Sequence, residues 1–520
     1  MLALVVLVEL VLMGSHVSDG GLYTDDWQIA GLEQQLGMWG LFDALISVNR
    51  DRPLGALYLS SQAALSGTNT QVHALWGLAT HLLSTMSLYL LLRVLRLQAV
   101  HAVPIALLVL VFPFSDSIWL WASLIPLSIA LAALGAVLAI RGLERRGRPA
   151  VAYHLGAAAL FAASILTYQA AALAICLLGL VYLSRTSARR ALRRWAADVV
   201  VVALAVGLPR LIAGSGGSGA NTAFVSVDEQ VRHARLLADQ GVTLFTAALV
   251  PIGRPHHRAI VISVLAVLVV AAVLAARAPR TGAKARGELR RWLGLAVAGG
   301  LLVAAAYAVY VPGPVAFYQP LAEGSDNRVN GLAGVGLVIV AYAMIMLAAT
   351  LAARGLRRPQ AAPLVGLALA AVLLSQYSQR VRQDVRAWDA AAGSQREQLA
   401  ELEAGGRPPK GTALYVFGGK GVTAPGVYAF RVTWDLDGAV KLLWDDPSLR
   451  AYPIFAGTVM DCGKSGVVPI GPGNGNGPLQ ASGYGLTTFV DLRTDRRASV
   501  PSRQACRSLQ PTFVPGPVTG

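Results

Sequence analysis

Two adjacent carboxylates, Asp25 and Asp26, are followed by Trp27 just beyond an apolar N-terminal run. Neighbouring side chains diverge by about 100° on a helix and point oppositely on a strand, so at most one of the pair aims into a given cavity. Each raises the proton affinity of the other, which suits a general base. The pair equally fits a solvated loop in which Asp starts a helix, and Trp27 equally fits an interfacial belt. The segment Asn49-Arg50-Asp51-Arg52-Pro53-Leu54 follows, and His73 and His81 lie beyond it. Glu9 sits in the middle of the first apolar run, where a carboxylate is a functional candidate. The reading adopted is that the true start of the chain lies upstream, which brings Glu9 nearer a helix end. His256 and His257 could ligand a metal alongside Asp residues, but adjacent histidines without an i+4 partner are a weak ligand pair. A divalent ion is therefore the one cofactor the sequence admits, and none is required by it.

These residues are distributed along a chain of 520 residues that is 55% hydrophobic and 14% charged, with a mean hydropathy of +0.55. That composition excludes a cytosolic enzyme and a disordered scaffold and describes an integral membrane protein. Twenty of the 44 basic residues fall in five short loops: Arg93 and Arg96; Arg141 to Arg148; Arg185 to Arg194; Arg277 to Arg291; and Arg354 to Arg358. Only Glu144 and Glu288 oppose them there, which marks the loops as cytoplasmic under the positive-inside rule. The net charge of +16 thus reports orientation and contact with anionic membrane lipids, and no nucleic acid is expected as a partner.

With those loops inside, about eleven spans are expected, at 1–17, 71–92, 97–114, 118–140, two within 149–184, 196–213, 259–276, 292–311, 330–353 and 361–379. The N-terminus is placed inside and the C-terminus outside, in the cytoplasmic membrane. The segment from Arg232 to Pro251 is read as an external amphipathic helix. The fold class is mainly α: a polytopic domain over 1–379 with a long external loop at 18–70, a juxtamembrane amphipathic helix over 380–405, and a small extracytoplasmic β-rich domain over 406–520. The runs LYVFGG, VYAFRVTW, YPIFAGTVM and TTFVDL, separated by Gly, Pro and Asp, carry the β reading. Cys462 and Cys506 share that domain, and an external location permits a disulfide between them, worth roughly 4 kcal/mol in the entropy account. Cys176, within 149–184, reads as a small lipid-facing or packing residue.

The order of an apolar first helix, a DDW just outside it, an RPL about 25 residues later and a helix with His73 and His81 resembles the C-type (GT-C) glycosyltransferases, in their bacterial, protein-mannosyltransferase-like branch. By motif the resemblance covers roughly residues 1–185. It implies a polytopic enzyme that takes a sugar from a polyprenyl-phosphate donor to a glycan, lipid or protein acceptor at the outer membrane face. It places the catalytic carboxylate at Asp25 or Asp26, and a second acidic residue at Asp116 of PFSDSIWLW. Tyr168 and Gln169 stand where relatives carry a Tyr-Glu or similar pair, so an expected acid is replaced here by an amide. A lipid-phosphate leaving group calls for guanidinium donors near the membrane surface. Arg328, in YQPLAEGSDNRVN, and Arg52 are the candidates for it, with Arg210, Arg254 and Arg258 behind them; Glu323 and Asp326 join Tyr168 and Gln169 as substrate-binding candidates. For each Arg the competing reading is a snorkelling residue that binds ordinary phospholipid.

A transporter or flippase for a lipid-linked or cell-envelope substrate is the alternative. It predicts internal repeats and charges at mid-membrane. Apart from Glu9, the apolar runs other than 196–213 carry no such charges at their centres and no repeat is evident, while acidic residues gather in the loops expected outside. An adhesive membrane protein, with the C-terminal domain as its binding module, leaves the DDW loop unexplained.

Overall fold

The apolar runs fold as helices wherever the computed structural model describes them, namely over residues 1–213, 225–251, 283–314, 318, 321–356, 358–471 and 481–515. The helices are α1 (Leu2–Asp19), α2 (Asp25–Val48), α3 (Pro53–Ser66), α4 (Thr70–Val94), α5 (Ala99–Leu110), α6 (Ser117–Leu120), α7 (Leu124–Leu143), α8 (Arg148–Thr167), α9 (Ala172–Leu183), α10 (Ala188–Ala213), α11 (Val227–Leu249), α12 (Ala283–Ala308), α13 (Asn330–Gly355) and α14 (Ala362–Ala404). Seven of the described helical segments are long and apolar enough to cross a membrane: α1, α4, α7, α8, the Gly287–Ala308 part of α12, Ser325–Arg354 and α14. The span expected at 97–114 is shorter than foreseen. At about 1.5 Å per residue, α5 is roughly half the thickness of a bilayer core, and it stops before Pro113. The run 149–184 divides as expected, with a break at Tyr168 and a 3-10 turn at Gln169–Ala171. The span expected at 259–276 lies outside the described residues, as do His256, His257, Arg254 and Arg258.

Two compact units divide the chain. The first comprises Met1–Leu12, Ile46–Ala56 and Gly77–Asp384. Here α7 and α8 form a hairpin, and α12 packs along α13. That last pair touches through backbone: a Cβ added to Gly299 would lie 2.8 Å from the Gly336 carbonyl oxygen, and one added to Gly336 would lie 2.7 Å from that of Gly299. Small residues at a helix crossing are how membrane helices gain van der Waals contact without a hydrophobic drive. Glu9 is buried within α1, and its Oε1 is 3.2 Å from Nδ1 of the equally buried His81. Ser226 accepts the Glu229 N–H to start α11, whose amphipathic pattern over the 232–251 segment packs against α13 and α12.

The second unit comprises Met13–Leu45, Leu57–Trp76 and Val385–Gly520. Its sheet holds β1 (Ala413–Phe417), β4 (Arg450–Ile454), β7 (Thr487–Asp491) and β8 (Arg496–Ser499), in the order β4-β1-β7-β8. β1 runs parallel to both β4 and β7, and β8 is antiparallel to β7. β2 (Val422–Ala424) pairs with β3 (Val427–Tyr428), and β5 (Val459–Cys462) with β6 (Val467–Ile470). Period-two alternation splits the core. Tyr415, Phe417, Tyr452, Phe489 and Phe513 fill one face, with the Cys462–Cys506 disulfide among them. Leu414, Val416, Ala451 and Val490 fill the other, against Leu436, Ala439 and Val440 of a helix, α15 (Thr433–Trp444), and Leu402 at the end of α14. The run VYAFRVTW opens with the two-residue strand β3 and ends in the first turn of α15, so the region carries helix beside its strands. A short helix, α16 (Arg503–Leu509), carries Cys506. α14 continues unbroken from its apolar part into the charged 380–404 segment, where Val381, Val385, Trp388 and Leu402 are buried.

Candidate active site

Asp25 and Asp26 occupy the first turn of α2, in the second unit. Thr24, at φ 46°, bends the chain so that the start of α2 closes on itself. Asp26 Oδ2 accepts the Tyr23 N–H at 3.1 Å, and the Asp26 N–H reaches the Tyr23 carbonyl at 3.0 Å. The Asp26 side chain thus closes the turn that opens α2, in the manner of one half of a capping box, while the backbone carbonyl of Tyr23 stands where an N-cap side chain would accept. The same oxygen lies 3.3 Å from His73 Nε2, and His73 Nδ1 lies 3.3 Å from Gln62 Nε2. Asp26, Gln62 and His73 border a cavity of about 10 Å³, room for one water. Asp25, half-buried, differs: its Oδ1 accepts the indole N–H of Trp434, on α15, at 2.8 Å. The divergence of the two side chains expected from helix geometry is thus realised as two different environments.

In the first unit, Arg52, Tyr168 and Gln169 come together. The Arg52 guanidinium lies 4.5 Å from the centre of the Tyr168 ring and donates to Tyr318 Oη at 3.1 Å, with Asp51 Oδ2 3.6 Å from its Nε. Gln169 Nε2 donates to Asp51 Oδ2 at 3.0 Å, so the amide that replaces the expected acid tethers the acid of the RDRPL segment. Burial alone would depress the Arg52 guanidinium; Tyr318, Tyr168 and Asp51 more than reverse this and hold it above its ordinary value. Burial pushes the Tyr168 phenol up, and Arg52 and Arg328 pull it back. Arg52, Tyr168, Gln169, Tyr310 and Tyr318 form the polar part of a cavity of about 400 Å³ whose remaining wall is Leu173, Val202, Val206, Val309 and similar residues. The ring nitrogens of His233, buried in α11, face the carbonyl oxygens of Gly313 and Tyr318 at 3.0 Å each.

Asp116, Arg328, Glu323 and Asp326 lie in the same unit, and Arg328 is close enough to act on Tyr168. Asp116 is buried and receives the Asn327 amide, whose oxygen takes the Ser117 N–H at 3.1 Å and the Ser117 hydroxyl at 2.5 Å. Arg328 lies over the Trp121 ring at 4.8 Å. Glu323 pairs with Arg380, whose Nε is 3.2 Å from Asp384. Asp326 is half-buried in the 3-10 turn Ser325–Val329. Among the described residues no group of three or more His, Cys, Asp and Glu is arranged to hold a metal ion.

Sequence reasoning gave Asp51, in the RDRPL segment, and Asn327, beside Arg328, no role of their own, and it did not single out Tyr318, Arg380, Asp384 or Trp434. Arg380 and Asp384 had a signal, charges at i and i+4 where an apolar run ends. Trp434 had none, since its partner is 409 residues away.

No protein-family model matches the chain, and no curated protein matches it. Among solved structures, the crystal structure of ArnT from Cupriavidus metallidurans bound to undecaprenyl phosphate is similar over 86% of this chain and 85% of that one, at 13% sequence identity and a TM-score of 0.45.

Proposed function

We propose that the protein is a GT-C-type membrane glycosyltransferase that moves a sugar from a polyprenyl-phosphate donor to an acceptor hydroxyl at the extracytoplasmic face. The observation that carries the reading is the cavity of about 400 Å³ in which one guanidinium, fixed by Tyr168, Tyr318 and Asp51, faces a largely apolar wall. That combination suits an isoprenoid chain ending in a phosphate: the wall takes the hydrocarbon and the planar fork takes the anion. Arg328, near enough to act on Tyr168, adds a second cation for the charge that develops on the leaving phosphate.

In this reading Asp25 is the base. An acceptor hydroxyl is a poor nucleophile at neutral pH, so a carboxylate takes its proton as the oxygen attacks the anomeric carbon, and the polyprenyl phosphate departs with the bonding electron pair. Asp26 is assigned the supporting role, because its oxygen is already engaged by Tyr23 and His73. Asp116, buried against Asn327, is assigned to holding the Ser325–Val329 turn rather than to the chemistry.

A transporter or flippase is the second reading, favoured by the Glu9–His81 pair buried between two apolar helices. Thermal unfolding in detergent with and without a polyprenyl phosphate separates the two sites. The ligand should raise the midpoint of the parent protein and lose most of that effect in Arg52→Gln, while Glu9→Gln keeps it. Equal stabilisation of the parent and Arg52→Gln would remove Arg52 from the donor site.

A further inference from the structure

The C-terminal fold reaches the first turn of α2 through two glycines. A Cβ added to Gly438 of α15 would lie 2.5 Å from the Trp27 carbonyl oxygen and 2.7 Å from the Gln28 nitrogen, and one added to Gly31 would lie 3.4 Å from the Gly438 carbonyl oxygen. With no side chain at that crossing the two helices meet backbone to backbone. Phe430 packs against the Trp27 ring at 5.7 Å, and Gln34 Nε2 donates to Asp445 Oδ1 at 2.8 Å, so both ends of α15 are anchored on α2. Between these anchors the Trp434 indole meets Asp25.

The chemistry of that contact is specific. An indole N–H only donates, so it holds a carboxylate without competing for the proton a base must collect. A donor to the charged form also favours the ionised carboxylate, the form a base must have at the start of each turnover. Asp435, the next residue, is fully buried and spends its carboxylate on the N–H groups of Leu436 at 2.7 Å and Val432 at 3.5 Å. It fixes the start of α15 and thereby the place of Trp434.

We propose that Trp434 is the positioning residue of Asp25, so that the C-terminal domain, through one indole N–H, orients the carboxylate of the transmembrane chain's first loop. The proposal rests on Asp25 as the base of the transfer reaction. It makes the C-terminal domain part of the reacting centre, not a separate binding module.

The test uses the full-length protein in lipid nanodiscs, labelled with ¹⁵N at tryptophan indoles. The Trp434 resonance, identified by its loss in Trp434→Phe, should move in Asp25→Asn; a resonance unmoved by Asp25→Asn overturns the contact, and this arm needs no activity. In sugar transfer from a polyprenyl-phosphate donor, Trp434→Phe should lower kcat about tenfold, the size of one hydrogen bond to a charged group. Donor KM should stay near the parent value. The acidic limb of the pH profile should move to higher pH, a change that mere loss of folded protein cannot produce; Asp435 on α15 is close enough to act on Asp25, and Asp26 is its neighbour on α2. Parent-like kcat and an unmoved limb overturn the positioning role. Absence of transfer by the parent overturns the transferase reading, and this role with it, even where the indole responds.

Discussion

The carboxylate of Asp26 closes the start of α2 and faces His73, whereas that of Asp25 is half-buried under the Trp434 indole. Their exchange for amides should therefore differ in kind. In Asp26→Asn the side-chain oxygen still accepts the Tyr23 N–H, so transfer should stay within about tenfold of the parent. Asp26→Ala leaves the Tyr23 N–H unmet in a buried place and should lower unfolding free energy by about 1–3 kcal/mol, read by denaturation in detergent. Loss of all transfer in a folded Asp26→Asn protein would exchange the roles of the two residues. The sequence shows that one member of the pair differs from the other, because side-chain divergence is a property of backbone geometry. In the proposed reading the assignment of the base to Asp25 follows from Tyr23, His73 and Trp434, partners brought in by tertiary packing.

At the scale of elements, the long apolar runs were legible because about 20 apolar residues admit a single economical structure in a bilayer. The break at Tyr168 was legible from length alone. α15 was not: Val432, Thr433 and Trp434 carry strand propensity, and the helical spacing of Leu436, Ala439 and Val440 emerges only after the helix has begun. Nor does a glycine in a sequence announce that another backbone will approach it. Gly31 and Gly438 set the α2–α15 crossing, so Gly438→Val should drive a side chain into the Trp27 carbonyl and cost about 1–3 kcal/mol. Thermal unfolding in detergent checks this, and a parent-like midpoint would contradict the close approach.

At the scale of the molecule, composition and loop charge announce a polytopic membrane protein, and the two cysteines of one domain pair as their shared location suggests. The second unit was not legible as a unit. Its three segments are separated by long stretches of chain, and the pairing of Asp25 with Trp434 or of His16 with Asp389 leaves no periodic trace in the sequence. The RDRPL cluster was visible, but its tie to Gln169 and Tyr318 was not, for the same reason. The proposed function is sugar transfer with Asp25 as base. Its most direct test is the initial rate of sugar transfer from a polyprenyl-phosphate-linked donor by the purified protein and by Asp25→Asn, in lipid. Asp25→Asn should fall by a factor of about 10² to 10⁴ with its thermal midpoint and its disulfide unchanged. Transfer at the parent rate by Asp25→Asn would contradict the account.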